Sequence, residues 1–195
     1  MREIVKAGCV LSFTAFLIAF VLAAVNHATK NIITENEKAE KHKVMSQLLD
    51  VGENGYFSPD NLTENIQGVV CFNIGYNYNG GEIGRVFTVA VNGYGGIINV
   101  LAGINLDGTV NGVSLGKNTE TPGLGTKAGD NKFTSQFMGK SGPFNVVTGK
   151  AEKENAVEAV TSATVSSKAV ASGVNEAIDY YKMCKTEFLD TIKNN

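Results

Sequence analysis

From Ala7 to Ala28 the chain carries no charged residue, and the run is built mainly of Val, Leu, Ile, Phe and Ala. At about 1.5 Å of rise per residue, a helix over this stretch spans a hydrocarbon core of about 30 Å. It is therefore read as a transmembrane helix, which leaves room in 195 residues for one globular domain. A cleaved signal peptide is the competing reading. Its apolar region is normally ~7–15 residues and ends in a small-x-small site, whereas Asn26-His27-Ala28 is a poor one. Arg2 and Lys6 precede the anchor while Lys30, Lys38, Lys41 and Lys43 follow it, so the charge count alone does not orient it. The favoured arrangement has the N-terminus inside and the domain outside the cytoplasm, in the plasma (inner) membrane.

Net charge is −2 with no basic patch, which excludes a nucleic-acid footprint. Cys9, Cys71 and Cys184 are too few and too scattered for a disulfide framework. Three buried thiols are the preferred reading, with a Cys71–Cys184 pair as the alternative. His27 and His42 are isolated, so no metal site is expected.

After the anchor, Lys30 to Asp50 reads as a helix continuing the membrane segment as a stalk, and Gly52 to Asn65 as loop. The Asn61-Leu62-Thr63 sequon is taken as chance. Gly68 to Tyr76, Ile83 to Val91, Ile97 to Asn105 and Thr109 to Leu115 are β-branched or aromatic runs. Asn79-Gly80-Gly81, Gly93 to Gly96 and Asp107-Gly108 separate them as hairpin turns. An antiparallel sheet of at least four strands is the consequence. Asn131 to Met138 is expected to be a short helix with Phe133 and Phe137 on one face, and Phe144 to Val147 a short strand. From Val165 the apolar residues recur at Ala169, Val170, Val174, Ala177, Ile178 and Tyr181, a helical stripe able to lie across the sheet. The fold class is α+β.

Two stretches carry chemistry. In Glu158-Ala159-Val160-Thr161-Ser162-Ala163-Thr164-Val165-Ser166-Ser167-Lys168, a cluster of hydroxyls sits where a loop turns into that last helix. The first helical turn offers unpaired N–H groups and the positive end of a dipole, so a phosphate bonded near Thr164 would find donors. A plainer reading makes Thr161 or Thr164 an N-cap. Thr119-Glu120-Thr121-Pro122-Gly123-Leu124-Gly125 is the second stretch. Its Pro-Gly suits positions i+1 and i+2 of a type II turn, where backbone can approach a flat ligand.

The first stretch resembles the Asp-x-x-Ser/Thr-Gly-Ala-Thr signature of covalently flavinylated FMN-binding domains, in which the last Thr, here Thr164, carries FMN through a phosphoester made by a flavin transferase. Glu158 stands in place of the Asp and Ser162 in place of the Gly, which matters if that Gly has positive φ. With Gly93-Tyr94-Gly95-Gly96 and Glu-Thr-Pro-Gly-Leu-Gly in the same order, nearly the whole chain resembles the G subunit of the Rnf electron-transport complex. More distantly it resembles the C subunit of the sodium-pumping quinone reductase.

The resemblance implies a small FMN-binding domain of antiparallel sheet and packed helices behind one transmembrane helix. Residues 1–29 would be the anchor, 30–66 a helical stalk and loop, and 67–195 the FMN-binding domain. It implies FMN on Thr164, with Thr161, Ser162, Ala163, Ser166, Ser167 and Lys168 around the phosphate end. Glu120, Thr121, Leu124 and Gly125 would lie beside the ring, with Tyr94 and Asn118 as further contacts. It also implies an electron relay between membrane and peripheral subunits of an ion-translocating ferredoxin:NAD oxidoreductase, with the flavin transferase as maturation partner. The C subunit of a quinone reductase, a stand-alone anchored flavin reductase and a non-catalytic anchored surface domain are the alternatives.

Overall fold

The computed structural model describes residues 2–62 and 68–193. Thr63 of the sequon and the end of the expected loop lie outside the described residues, as does the side chain of Cys9. The chain divides into two compact units, one running through Lys41 and the other from His42 onward.

Helix α1 (Arg2–Leu48) takes in both the apolar run and most of the expected helix from Lys30 to Asp50. Within it Lys6–Lys30 is long and apolar enough to cross a membrane, and none of its described residues is buried. Two of its hydroxyls are satisfied locally. Thr14 Oγ1 donates to Leu11 O at 2.9 Å and Thr29 Oγ1 to Val25 O at 2.9 Å, which removes two unpaired polar groups from an apolar environment.

The second unit is built on an antiparallel meander of β3 (Val69–Tyr76), β4 (Glu82–Asn92), β5 (Ile97–Asn105) and β6 (Val110–Asn118). All four correspond to the expected runs. Two short strands inside the expected loop, β1 (Tyr56–Phe57) and β2 (Asn61–Leu62), pair with the outer edge of β3. Two residues are too few to show a period of two, so nothing in the sequence announces them. A separate parallel pair joins β7 (Asn145–Val147) to β8 (Ala156–Glu158), the latter also unannounced.

The sheet is covered on both faces, which is why its strands read as apolar runs and not as clean alternation. Phe87, Val89, Val91, Ile98, Val100, Ala102 and Ile104 form one face of the core. Against it lies α3 (Thr164–Lys193), whose expected stripe of Ala169, Val170, Val174, Ala177, Ile178 and Tyr181 is buried throughout. Tyr181 Oη donates to Leu106 O at 2.6 Å. The expected helix near Asn131 is split into α2 (Asn131–Thr134) and a 3₁₀ turn Ser135–Phe137. Its two rings still meet, Phe133 and Phe137 edge to face at 5.4 Å, and Phe137 meets Phe144 at 4.9 Å.

On the opposite face Val86 and Leu101 meet Met45, Leu48 and Leu49 from the end of α1, together with Val51 and Phe57. The approach is close because Gly103 and Gly112, partners across β5 and β6, present no side chain to Leu48. A Cβ on Gly103 would collide with the Leu48 backbone, and one on Gly112 would lie 3.0 Å from a Leu48 methyl. Asn111 Nδ2 donates to Leu48 O at 2.8 Å, satisfying one of the carbonyls a helix C-terminus leaves unpaired.

The two faces also decide the cysteines. Phe72 contacts Tyr180 of α3, so its neighbour Cys71 points to the other side of β3, away from the helix that carries Cys184. The two are not joined to each other, Cys71 being buried and Cys184 half-buried. The Cys71–Cys184 alternative is thus corrected by the sheet between them, and Cys184 is less buried than expected.

Gly103→Ala should lower the stability of the chain by about 1–3 kcal/mol, the usual cost of forcing a methyl into a filled interface. Denaturant titration of the purified protein checks it. An unchanged midpoint would mean that the end of α1 is not seated on the sheet as described.

Candidate functional site

Three loops and the start of α3 enclose a cleft of about 420 Å³, lined by Tyr94, Glu120, Thr121, Leu124, Gly125, Ser162, Ala163, Thr164, Val165 and Ser166. The volume lies within the range of small-molecule sites. The β4–β5 turn forms one wall. Gly93 N donates to Gly96 O at 2.8 Å, and this tight closure leaves Tyr94 at the tip, 77% exposed.

The second wall continues from β6. Ile98 pairs with Asn118 and Val100 with Leu115, so β6 carries one extra residue near the end of its ladder. Such a bulge twists the strand and re-aims the residues after it, here Thr119 and Glu120. Thr119 Oγ1 donates to Gly95 O at 2.9 Å, fastening this segment to the β4–β5 turn. The expected turn comes next: Leu124 N donates to Thr121 O at 3.1 Å, with Gly123 at φ +79 in position i+2 as a type II turn requires.

The third wall is the run into α3, and it repeats the same device. Ala163 N donates to Val160 O at 3.0 Å, which puts Thr161 and Ser162 at the centre of a turn whose i+2 residue, Ser162, has φ +66. A residue with a Cβ is disfavoured there, and this is the position at which the flavinylation signature has Gly.

Ser167 N donates to Ala163 O at 2.9 Å, so Ala163 holds the cap position of α3. Alanine has no side chain able to cap. The amides of Thr164, Val165 and Ser166 enter no hydrogen bond among the described residues, leaving donors at the positive end of a 30-residue helix. Thr164 is half-buried and lines the cleft.

Nine of the expected residues therefore converge: Tyr94, Glu120, Thr121, Leu124, Gly125, Ser162, Ala163, Thr164 and Ser166. Thr161, Ser167 and Lys168 do not line the cleft. Ser167 is fully buried, donating to Ala163 O at 2.9 Å and accepting from Val160 N at 3.0 Å, which braces the turn before the helix. Lys168 and Thr161 are exposed. Asn118 sits behind the wall, its Oδ1 accepting from Glu120 N at 3.2 Å. Val165 was not anticipated, although its place in the first turn beside Thr164 was the available signal. With Tyr94 and Leu124 it gives the cleft an exposed apolar rim, at 52%, 77% and 48% exposure.

The arrangement suits a ligand with a flat apolar body and an anionic end: apolar rim and glycine backbone for the former, unpaired helix amides and a free hydroxyl for the latter. Comparison with known proteins agrees. Residues 93–179 match the FMN-binding domain family, and residues 1–48 match the RnfG N-terminal region. The chain is 33% identical to the G subunit of the Na(+)-translocating ferredoxin:NAD(+) oxidoreductase complex of Acetobacterium woodii, covering 93% of each chain. It is 30% identical to the G subunit of the proton-translocating ferredoxin:NAD(+) oxidoreductase complex of Clostridium ljungdahlii, covering 87% of this chain and 86% of that one. Among solved structures, the C subunit of the Na(+)-translocating NADH-quinone reductase from Parabacteroides distasonis shares the fold. Its TM-score is 0.57 at 18% identity, over 78% of this chain and 95% of that one.

Ser162→Gly should stabilise the chain by about 0.5–1 kcal/mol, because relief of a left-handed non-glycine outweighs the added chain entropy of glycine. Thermal unfolding of the two proteins measures it. A lower midpoint for the glycine variant would show that the serine side chain holds the turn by contacts stronger than its strain.

Proposed function

The chain belongs to the G-subunit family of ion-translocating ferredoxin:NAD oxidoreductase complexes, and we propose that it carries electrons within such a complex through FMN bonded covalently to Thr164. The observation that carries the attachment is the division of labour at the start of α3. Ala163 occupies the cap position, so the Thr164 hydroxyl is not consumed by the helix, and the residue lines the cleft beside unpaired amides.

When bound, FMN supplies the electron transfer itself. The chain's residues bind and orient it. The amides of Thr164, Val165 and Ser166 would hold the phosphate, where the helix dipole favours negative charge. Tyr94, Leu124 and Val165 would cover the ring, and the Thr121–Gly125 turn would bring backbone against its edge. Covalent attachment serves an extracytoplasmic domain, from which a dissociated cofactor would diffuse away. A flavin transferase is the maturation partner, and the membrane and peripheral subunits of the complex are the redox partners. The apolar span Lys6–Lys30, none of its described residues buried, supports membrane anchorage, and the proposed topology puts the second unit outside the cytoplasm.

Two measurements test this reading. Protein produced with its flavin transferase should retain flavin fluorescence after denaturation and gain the mass of one phosphoester-linked FMN, whereas Thr164→Val should yield the bare polypeptide. Bare mass for the parent chain would refute the attachment. Protease added to right-side-out vesicles should digest the second unit, and complete protection would reverse the topology.

A further inference from the structure

Glu120 is the one carboxylate among the described residues that line the cleft, and it is only 6% exposed. Both oxygens are occupied. Oε1 accepts from Gly95 N at 2.9 Å, in the β4–β5 turn. Oε2 accepts from Ser166 Oγ at 2.8 Å, in the first turn of α3, and Ser166 is itself 1% exposed. The backbone is shaped around the same group: a Cβ on Gly93 would collide with Oε1, and one on Gly125 would collide with Oε2. Glycine at those two positions is thus a condition for the carboxylate to sit where it does. Its own amide is held by Asn118 Oδ1 at 3.2 Å, so the residue is fixed at both ends.

We infer that Glu120 is a positioning residue, with Ser166 as its partner, that ties all three walls of the cleft into one frame and sets where the start of α3 stands. The inference rests on the proposed FMN site and gives one of its residues a different task. Sequence reasoning puts Glu120 beside the ring. The geometry instead has both oxygens spent on the protein, one on each side of the cleft. Removing either partner strands a buried acceptor, and hydrogen bonds to a carboxylate are among the stronger ones in proteins. A loosened frame would let the attachment hydroxyl drift relative to the wall that holds the ring, and a displacement of about 1 Å is enough to matter for an oriented reaction.

The test uses the full chain, purified in detergent, in two states. In the Thr164→Val background, which cannot carry the phosphoester, hydrogen exchange followed by mass spectrometry reads the segments 93–97 and 160–168. Glu120→Ala and Ser166→Ala should each speed exchange in the α3 segment by about tenfold, and Glu120→Ala should do so in the 93–97 segment as well. Glu120→Gln, whose amide keeps the size and can still bond both partners, should restore protection. In the Thr164-containing chain made with the transferase, Glu120→Ala and Ser166→Ala should lower the loaded fraction severalfold and weaken the visible circular dichroism of whatever flavin is attached. Glu120→Gln should recover both.

Exchange unchanged in Ser166→Ala and Glu120→Ala, with normal loading and dichroism, would overturn the inference. So would Glu120→Gln behaving like Glu120→Ala. Should Glu120→Ala fail to fold, the Ser166→Ala and Glu120→Gln comparison decides alone. The two claims fail separately: a parent chain that never carries flavin, while the exchange pattern holds, removes the attachment and leaves the positioning role in place.

Discussion

Docking of α3 across one face of the sheet is the contact on which the site depends. Val170, Val174 and Ile178 are essentially inaccessible to solvent. Each contributes roughly 1.5–3 kcal/mol of burial, so a slip of the helix along the sheet would expose several at once. Gly173 fixes how near the helix comes, since a Cβ there would stand 3.1 Å from the Val100 side chain. Farther along, the helix is tied by Tyr181 to Leu106. With register, depth and this tie determined, the first turn of the helix has one available position, beside the ends of β4, β5 and β6.

That dependence explains which parts of the fold were legible. The helical stripe of α3 and the four long strands show in the sequence because each repeats its signal over many residues. The stretch from Lys30 shows as helix following the apolar run, and α1 includes it as far as Leu48. β1 and β2 do not show, being two residues each and defined by the edge of β3 that they cover. The seating of the α1 end does not show either. Gly103 and Gly112 are adjacent only across a strand pair, and each reads in sequence as an isolated glycine that weakens a strand. Their reason becomes visible once Leu48 is seen lying on them.

In the site the residue types were legible and their division of labour was not. The Pro122-Gly123 turn could be derived from dihedral preferences alone. Glu120, by contrast, is read from the sequence only as a loop residue beside the ring. Its burial depends on Gly93, Gly95 and Ser166, which lie up to 46 positions away in the chain. No local pattern encodes such a meeting. The same holds for Ser166 and Ser167, neighbours in sequence that face different tasks because a helix separates successive residues by about 100°. Ser166 turns to Glu120, and Ser167 turns back to Val160 and Ala163.

Sorting the hydroxyls in this way leaves Thr164 distinct among them. Ser166 and Ser167 are buried and bonded, and Thr161 is exposed and does not line the cleft. Ser162 reaches it from a backbone conformation that strains any residue but glycine. Thr164 is the first residue of the helix, it lines the cleft, and no hydrogen bond among the described residues engages its hydroxyl. A threonine at the cap would have bonded its own helix and been a poor acceptor for chemistry. Moving the cap one residue earlier, onto an alanine that cannot compete, keeps the helix start intact while its hydroxyl and its amides stay free for one ligand. The strained turn at Ser162 belongs to the same arrangement, because only a turn that reverses the chain within four residues brings Ala163 to the cap position and Thr164 to the cleft together.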